Sequence, residues 1–457
     1  MMTSDSIAGA PRRSSQGAPL RIGIAGLGTV GAGVLRLLAV NGEAIAKRAG
    51  RPIAVSAVCA RDRKRDRGVA LEGIAWEDDM TALAARADVD VIVELVGGAD
   101  GPALATARAA LAAGKPLVTA NKAMVAHHGL ELATLAAETG AALRFEAAVT
   151  GAIPIVNGIV AGAVGNQVQR VYGILNGTCN FVLSQMEQSG RGFADVLTQA
   201  QALGFAEADP TFDIEGVDAA HKLAILSSLC FGTRLAFDAV ERTGISRIEA
   251  ADIAQAKALG HVIRLIGVAD RRPGKEGEAG ALFQRVAPYL VPAGHPLASV
   301  TGATNAVVLE TDQAGRLLFE GAGAGGGPTA SAVMADIVDI ARGNRTEPFG
   351  IPVAELQSSQ PADAGSREGR AYMRFTVADR PGVLAEITAA MRDAGVSIES
   401  MIQHGEPKGS DGGHALVAMV SHKGPERAIA KAIAALDGAA SMAAPPLVLR
   451  LLSKPTP

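Results

Sequence analysis

Short apolar runs alternate with longer amphipathic segments over the first third of the chain. Leu20–Ala25 has the length of a strand, and a glycine-rich turn then leads into a helical stretch through Val40. Ile53–Ala60 and Val89–Val96 are further strands, and the second is apolar at nearly every position, as expected of a strand buried on both faces. Strands that alternate with helices predict a doubly wound parallel sheet.

This alternation continues to about residue 145 and then lapses. A helix over Ala103–Ala113, a strand over Leu117–Thr119, a helix over His128–Glu138 and a strand over Leu143–Phe145 complete a first domain over residues 19–145. The segment 146–314 mixes helical and strand patterns, which predicts an α+β domain. A glycine run at 321–327 precedes a helix over Ser331–Arg342, so we expect residues 315–345 to return and complete the first domain.

The end of the chain forms a separate unit. Residues 346–370 are polar and loose, which is typical of a linker. Beyond them the elements follow in βαββαβ order, which predicts a ferredoxin-like domain over residues 371–457. The expected strands are Tyr372–Val377, Val396–Ile402, His414–His422 and Leu447–Leu452, and the expected helices are Val383–Ala394 and Pro425–Leu436.

Composition and charge narrow the class of protein. The 457 residues are 48% hydrophobic and 19% charged, as in a globular multidomain protein, and the net charge of −3 gives no electrostatic basis for a nucleic acid or an anionic membrane as partner. Three cysteines without CxxC spacing predict neither a disulfide framework nor a zinc site. Residues 1–18 lack the apolar run of a secretory signal, so we expect a flexible tail and a cytoplasmic protein, with a transit peptide as the alternative.

A glycine motif follows the first predicted strand and opens the first helix. It reads Gly26-Leu-Gly28-Thr29-Val30-Gly31. In a strand–turn–helix context this spacing indicates a Rossmann-like dinucleotide site, where Gly26 makes the turn, Gly28 lets the backbone approach the pyrophosphate and Gly31 lets the helix pack closely. The alternative is a purely structural turn.

The end of the second strand indicates which dinucleotide binds. An NAD site favours an acidic residue there, but this chain has Arg61, followed by Arg63 and Lys64, which suit a 2′-phosphate. Asp62 argues in the opposite direction, and an ordinary solvated charge run is the alternative. We therefore predict NADP(H), with NAD(H) left open.

Five further blocks carry the chemistry, and they resemble one family. They are Thr119–Lys122, Glu146–Ile155, Gly173–Asn180, Gly204–Lys222 and Gly321–Val333. In this order they closely resemble homoserine dehydrogenase over about residues 20–345. That family interconverts L-aspartate 4-semialdehyde and L-homoserine, on the path to threonine, methionine and isoleucine. The resemblance implies that Gly204, Gly325 and Lys122 contact the cofactor.

The longest block has a physical interpretation of its own. Asp218 and Lys222 are spaced i, i+4 and so share one helix face, while Glu207 and Asp213 lie just before that helix. A plain helical ion pair is the alternative. It is less favoured because Lys122 arrives at the same place, from the carboxyl edge of the sheet.

Aldehyde reduction needs a proton donor, and a lysine can serve if its pKa falls toward neutrality by burial or beside a second positive charge. By resemblance, Lys222 is that donor and Lys122 lies at the junction of cofactor and substrate. The resemblance likewise implies that Glu207 and Asp218, with Asp213, bind the substrate, and that Glu207 receives its α-ammonium group.

Two more sets of positions follow from the resemblance. Asn176, Gly177 and Thr178 would donate hydrogen bonds to the substrate carboxylate, whereas Cys179 beside them is expected to pack, since hydride transfer needs no covalent intermediate. The family also holds a monovalent cation, typically sodium, through a glutamate and main-chain carbonyls. The matching positions are Glu146, Val149, Gly151 and Ile153.

The segment Asp379–Ile387 follows a strand and opens a helix, and it resembles the ACT domain, which binds small amino acids, usually between two copies. Gly382 would allow a ligand carboxylate to approach the helix N-terminus. Fusion to an enzyme of threonine synthesis suggests L-threonine as an allosteric ligand and a homo-oligomer, dimer or tetramer. A pure dimerisation module is the alternative. Rival functions for the whole chain are another Rossmann-fold amino-acid dehydrogenase, such as one acting on diaminopimelate, and a non-catalytic sensor.

Overall fold

The structure is a computed structural model that describes residues 17–272, 280–405 and 413–453. The tail predicted over residues 1–18 lies outside the described residues except at its last two positions. Residues 406–412 and 454–457 of the predicted C-terminal domain also lie outside them.

The N-terminal elements alternate strongly between strand and helix. They are β1 (Leu20–Ala25), α1 (Thr29–Ala49), β2 (Ile53–Cys59), β3 (Ala75–Glu77), α2 (Ala82–Ala85), β4 (Val91–Glu94), α3 (Pro102–Ala112), β5 (Leu117–Thr119), α4 (Lys122–Thr139) and β6 (Leu143–Arg144). The described strands form a parallel six-stranded sheet in the order β3-β2-β1-β4-β5-β6. The predicted doubly wound sheet is confirmed.

The middle of the chain builds a mixed layer of helices on a sheet. Its elements are α5 (Ile155–Asn157), β7 (Val168–Ile174), α6 (Gly177–Ser189), α7 (Phe193–Ala202), α8 (Thr211–Ile214), α9 (Val217–Phe231), β8 (Glu241–Arg242), α10 (Ala250–Ala258), β9 (His261–Arg272), β10 (Ala281–Pro292), α11 (Pro296–Ser299), β11 (Thr304–Thr311), β12 (Arg316–Ala322) and α12 (Gly326–Ala341). Nearly the whole of α9 is buried, including the charged side chains of Asp218 and Lys222.

The C-terminal elements follow the predicted ferredoxin-like order. They are β13 (Gln360–Pro361), β14 (Glu368–Gly369), β15 (Ala371–Ala378), α13 (Val383–Ala394), β16 (Ile398–Gly405), β17 (His414–Ser421), β18 (Gly424–Pro425), α14 (Glu426–Ala435) and β19 (Leu447–Leu451). The segment predicted as a loose linker is partly ordered against its neighbours, because β13 pairs with β10 and β14 pairs with β18.

One continuous sheet joins the middle and C-terminal domains. Its described strands run in the order β12-β11-β7-β9-β10-β19-β15-β17-β16. The junction is a parallel pair between β10 and β19, with Tyr289 opposite Arg450 and Leu290 opposite Leu451. The domains therefore share backbone hydrogen bonds and not only side-chain contacts.

Helix α1 packs directly on α12, so the segment after the glycine run contacts the first domain. By length and composition α1 is also a candidate membrane span, but this is weak support and the helix is part of a folded domain. A Cβ added at Gly33 of α1 would lie 2.5 Å from the carbonyl oxygen of Gly326, so the two helices approach backbone to backbone. The sequence prediction ended α1 too early, at Val40.

Substitution of Gly33 tests this close approach. We expect Gly33→Ala to lower the free energy of unfolding by about 1–3 kcal/mol, because the added methyl group would force two packed helices apart. The matched control is Gly42→Ala on the same helix, where an added Cβ meets nothing within 4 Å. This control should stabilise the protein by up to about 1 kcal/mol through helix propensity. Thermal melting of the two variants measures the difference, and equal shifts would contradict the packing argument.

Candidate active site

A cleft of about 760 Å³ separates the carboxyl edge of the N-terminal sheet from the buried helices of the middle domain. The segments after β4 and β5 line one wall, and the starts of α6 and α9 line the other. Most predicted site residues meet here, namely Val30, Lys122, Gly151, Asn176, Gly177, Thr178, Gly204, Glu207, Asp213, Asp218, Lys222 and Gly325. The predicted positions thus converge from six separate segments of the chain.

The glycine loop has the geometry of a dinucleotide turn. Gly26 has a left-handed φ of 102°, and an added Cβ would lie 2.8 Å from the carbonyl oxygen of Leu95. At Gly31 an added Cβ would lie 2.1 Å from the carbonyl oxygen of Gly26, so this glycine lets the helix close on the turn. By contrast, a Cβ at Gly28 would face open space, which is where a pyrophosphate would approach the N-terminus of α1.

The basic segment after β2 lies beside this loop. Arg61 is exposed at the strand end, and the Asp62 carboxylate accepts a hydrogen bond from the amide of Lys64 at 2.8 Å, so it is engaged locally. Arg67, which sequence reasoning missed, donates from Nε to the carbonyl oxygen of Leu27 at 3.0 Å. This side chain therefore ties the basic segment to the glycine loop.

Asp218 binds both predicted lysines. Its Oδ1 lies 3.0 Å from Nζ of Lys122, and its Oδ2 lies 2.8 Å from Nζ of Lys222. Lys222 also donates to the carbonyl oxygen of Leu175 at 2.8 Å. Lys122 is the first residue of α4, which begins six residues earlier than the sequence predicted. The i, i+4 pair is therefore not an isolated helical ion pair, because it continues into a second domain.

The pKa of one lysine in this cluster shifts in the direction opposite to that expected from the sequence. Burial alone would raise the pKa of Asp218, but Lys222 and Lys122 outweigh it and the net shift is downward. The negative charge of Asp218 in turn raises the pKa of Lys122, against the effect of burial. A second lysine was expected to lower the lysine pKa toward neutrality, and for Lys122 this is wrong because a carboxylate stands between the two ammonium groups.

The start of α6 supplies a second group of polar contacts. Asn176 is the N-cap residue, and its Oδ1 accepts from the amide of Cys179 at 2.8 Å. Its Nδ2 lies 2.8 Å from Asp213 and 2.9 Å from Asp218, and the Thr178 hydroxyl lies 3.0 Å from Asp213. These two side chains, predicted to bind a substrate carboxylate, are thus engaged with protein carboxylates.

Asp213 lies between this helix start and the lysine cluster. Burial and the nearby charge of Asp218 raise its pKa, while hydrogen bonds from Asn176 and Thr178 oppose that shift. Glu207 is exposed at the rim of the cleft. The three carboxylates therefore become progressively more buried, from Glu207 at the rim through Asp213 to Asp218.

Cys179 behaves as a packing residue. Its side chain is fully buried, and burial raises the pKa of the thiol well above its ordinary value. A thiolate is the nucleophilic form, so no reactive cysteine is present here. His221, beside Lys222, does not line the cleft, and its Nε2 lies 3.3 Å from Nε2 of His127.

The second glycine run packs against the predicted cation-binding segment. Thr150 has a left-handed φ of 56°, and Gly151 follows with a φ of 58°. A Cβ at Gly151 would lie 2.6 Å from the backbone of Gly323, so glycine is required there. Gly325 is the N-cap of α12, with a φ of 121°, and lines the cleft.

The Glu146 side chain is buried among main-chain amides. Its carboxylate accepts hydrogen bonds at 2.8 Å from the amides of Val156 and Asn157. Burial raises the pKa of Glu146 against these hydrogen bonds. The described residues contain no cluster of three or more His, Cys, Asp or Glu side chains that could hold a metal ion. Glu146 is therefore the one charged side chain among the four predicted cation positions, which would not suit a tightly held divalent ion.

Comparisons with known proteins agree with this geometry. Residues 26–146 match the family model described as "Homoserine dehydrogenase, NAD binding domain", and residues 154–338 match "Homoserine dehydrogenase". Residues 371–438 match the ACT domain. These matches cover the cofactor loop, the lysine cluster and the C-terminal unit in turn.

Relatives and solved structures extend over nearly the whole chain. Homoserine dehydrogenases of Neisseria gonorrhoeae and Corynebacterium glutamicum are each 42% identical, covering 95% and 98% of this chain and 99% of each relative. The crystal structure of the Thiobacillus denitrificans homoserine dehydrogenase has a TM-score of 0.87 at 38% identity, covering 96% of this chain and 99% of that one. A hyperthermophilic archaeal homoserine dehydrogenase in complex with NADPH has a TM-score of 0.59 at 25% identity, covering 70% of this chain and 97% of that one. The chain belongs to the homoserine dehydrogenase family, and is an oxidoreductase that carries an NAD-binding domain and a C-terminal ACT domain.

Proposed function

We propose that the protein uses NADPH to reduce L-aspartate 4-semialdehyde to L-homoserine, in the synthesis of threonine, methionine and isoleucine. The observation that carries the proposal is the position of Asp218 between Lys122 and Lys222, in a cleft that also receives the glycine-loop residue Val30. Aldehyde reduction needs a hydride donor and a proton donor at one carbonyl group. This cleft brings a dinucleotide turn and two ammonium groups together.

Lys222 is the proposed proton donor. Its Nζ is held by Leu175 and Asp218, which leaves one of its three N–H bonds for the aldehyde oxygen. When the cofactor is bound, its reduced nicotinamide supplies the hydride. Lys122 brings a second positive charge, which stabilises the alkoxide that develops on that oxygen. Asp218 holds both ammonium groups in place before substrate binds.

The substrate carries an ammonium and a carboxylate group on one carbon atom, and the cleft offers a partner to each. The exposed carboxylate of Glu207 is the proposed partner of the α-ammonium group. The substrate carboxylate would bind at the N-terminus of α6, at the amides of Gly177 and Thr178, where backbone N–H groups and the helix dipole favour an anion. The main-chain amides suit this role better than the side chain of Asn176, which is occupied.

NADP(H) is the proposed cofactor. Arg61 is exposed beyond the end of β2, and the guanidinium groups of Arg63 and Arg67 lie over the ring of Trp76, each 5.7 Å from its centroid. Such a basic surface suits a 2′-phosphate. The archaeal relative was solved with NADPH. NAD(H) is the alternative that the assay below distinguishes.

The cation and the assembly are part of the proposal. Sodium would be held by the main-chain oxygens of Val149, Gly151 and Ile153 together with Glu146, because one carboxylate among carbonyl groups suits a monovalent ion. The net charge of −3 gives no electrostatic basis for a nucleic-acid or membrane partner, and a cytoplasmic location is part of the proposal. A homo-oligomer is proposed because ACT domains usually bind their ligand between two copies.

L-threonine is the proposed effector of the ACT domain. A cavity of about 370 Å³ is lined by the segment 377–384 together with Gln403 and Val417. Asp379 offers a carboxylate to an ammonium group, and Gly382 is the N-cap of α13, where an added Cβ meets nothing within 4 Å. The ammonium and the carboxylate group of a small amino acid would thus each find a complementary group.

Replacement of Lys222 tests the proton donor. We expect Lys222→Ala to lower kcat about 100- to 10,000-fold, the contribution of general acid catalysis, while NADPH binding stays within about twofold. The exposed Lys257 on α10 provides the control Lys257→Ala, which should keep full activity. Steady-state kinetics and fluorescence titration with NADPH measure both quantities. Near-normal turnover by Lys222→Ala would contradict the assignment.

Cofactor preference is tested at Arg61. Arg61→Ala should raise the KM for NADPH about 10-fold or more through loss of a charge-assisted contact. The KM for NADH provides the internal control and should change less than twofold, since NADH has no 2′-phosphate. Initial rates with each coenzyme give the ratio. An equal effect on both would argue against a phosphate contact at Arg61.

Regulation is tested with the unaltered enzyme. L-Threonine at millimolar concentration should lower the initial rate and raise the melting temperature, because a ligand that binds the folded state stabilises it. D-Threonine is the control, since it presents the same groups in the wrong arrangement. If L-threonine leaves both quantities unchanged, the proposed effector is wrong.

A further inference from the structure

A buried carboxyl group lies directly behind the cofactor wall of the cleft. Glu94 is the last residue of β4, and its side chain is fully buried and does not line the cleft. In the sheet, Glu94 is opposite Ala25 of β1 on one side and opposite Thr119 of β5 on the other. This is the point where the strand order changes direction, and ligands of doubly wound sheets bind outside that point.

Glu94 accepts hydrogen bonds from both segments that form the wall. Its Oε1 accepts from the amide of Val96, and its Oε2 accepts from the Thr119 hydroxyl, each at 2.5 Å. The Thr119 oxygen accepts in turn from the amide of Asn121 at 3.0 Å. The side-chain Nδ2 of Asn121 then donates to the carbonyl oxygen of Gly98 at 2.7 Å.

These bonds close a ring. The ring starts at Glu94, crosses to Thr119 and Asn121, and returns through Gly98 to the segment that holds Val96. Asn121 is also the N-cap of α4, accepting from the amide of Met124 at 3.0 Å, so it fixes the start of the helix that carries Lys122. One buried carboxylate thus sets the spacing between the segment 95–98 and the first turn of α4.

We infer that Glu94 is a positioning residue for the cofactor: through Val96 and Thr119 it holds the segment 95–98 and Lys122 at the spacing that the nicotinamide half of the dinucleotide requires. It touches neither substrate nor cofactor itself. The inference rests on the proposed cofactor site, and it goes further by naming what shapes that site's wall.

The protonation state of Glu94 gives a signature for the test. Burial raises the pKa of Glu94 to about 7, against the effect of the hydrogen bonds from Thr119 and Val96. No charged side chain contributes to this shift, so the neutral Thr119 hydroxyl and Val96 amide are the groups that face the carboxyl. Above pH 7 the ionised group accepts from both, whereas the protonated group must donate one bond, as a glutamine amide would. Glu94→Gln therefore imitates the protonated state.

We expect Glu94→Gln to bind NADP⁺ about five- to tenfold more weakly than the wild type at pH 8.5, the range that loss of one hydrogen bond produces. The two proteins should converge at pH 5.5, because the wild-type carboxyl is protonated there. Calorimetric titration of the full-length protein measures the dissociation constants. In kinetics, the KM for NADPH should rise more than kcat falls, since Lys122 keeps its contact with Asp218.

Three variants separate positioning from general loss of structure. Thr119→Val removes the bridging hydroxyl at nearly constant volume and should weaken binding as Glu94→Gln does, and Thr119→Ser should restore it. The matched control is Asp90→Asn, at the opposite end of β4, where the carboxylate accepts from Arg21 at 2.8 Å. This control should leave NADP⁺ binding unchanged.

The outcomes are distinguishable. Wild-type affinity in Glu94→Gln at pH 8.5, an equal loss in Asp90→Asn, or a difference that does not change with pH would each overturn the inference. A wild-type protein that binds NAD⁺ in place of NADP⁺ would overturn the proposed cofactor instead. The same variants are then measured with NAD⁺, so the role of Glu94 is tested in either case.

Discussion

The contact of Asp218 with two lysines is the interaction on which the arrangement of the site depends. Lys122 begins a helix of the nucleotide-binding domain, whereas Lys222 lies in a buried helix of the middle domain, so one carboxylate joins two domains across the cleft. Two ammonium groups brought this close would repel each other and shed their protons without it. Removing a partner from such a buried cluster leaves an uncompensated charge, at a cost of about 3–5 kcal/mol. The cluster therefore connects the two domains and places charged groups in the cleft.

Behind the wall of the cleft, a second buried carboxylate has neutral partners. Glu94 lies under the wall and is bound by a hydroxyl and an amide rather than by cations. Its pKa is raised by burial, while that of Asp218 is lowered by its lysines. Two buried carboxylates of one site thus acquire opposite properties because their partners differ. Asp218 remains charged at any physiological pH, whereas Glu94 changes charge near pH 7.

The sequence predicted the doubly wound sheet and the ACT domain because each is marked by a local pattern, and most of the predicted site residues lie in one cleft. Strand–helix alternation, the turn glycines and the i, i+4 pair are short-range patterns. The family resemblance rests on the order in which the motifs follow one another along the chain. The rival functions, a diaminopimelate-type dehydrogenase and a non-catalytic sensor, find no support in the relatives. What the sequence missed depends on contacts between distant segments: Arg67 on the glycine loop, Glu94 beneath the wall, and a carboxylate between the lysines that reverses the expected pKa shift of Lys122. A single sequence does not reveal such pairings.

The sequence analysis predicted a loose linker over residues 346–370, and the sheet joins the two domains on either side of it directly. Strand β19 of the ACT domain pairs with β10, and helix α9, which carries Lys222, packs on that same strand. Beside the junction, Arg285 of β10 makes a two-pronged ion pair with Glu426, at 2.9 Å for each contact, and both side chains are buried. Burying these charges costs desolvation energy that only close pairing offsets, so the pair favours one relative placement of the two domains. The ACT domain is therefore connected to the strand on which α9 packs by backbone hydrogen bonds as well as by side chains.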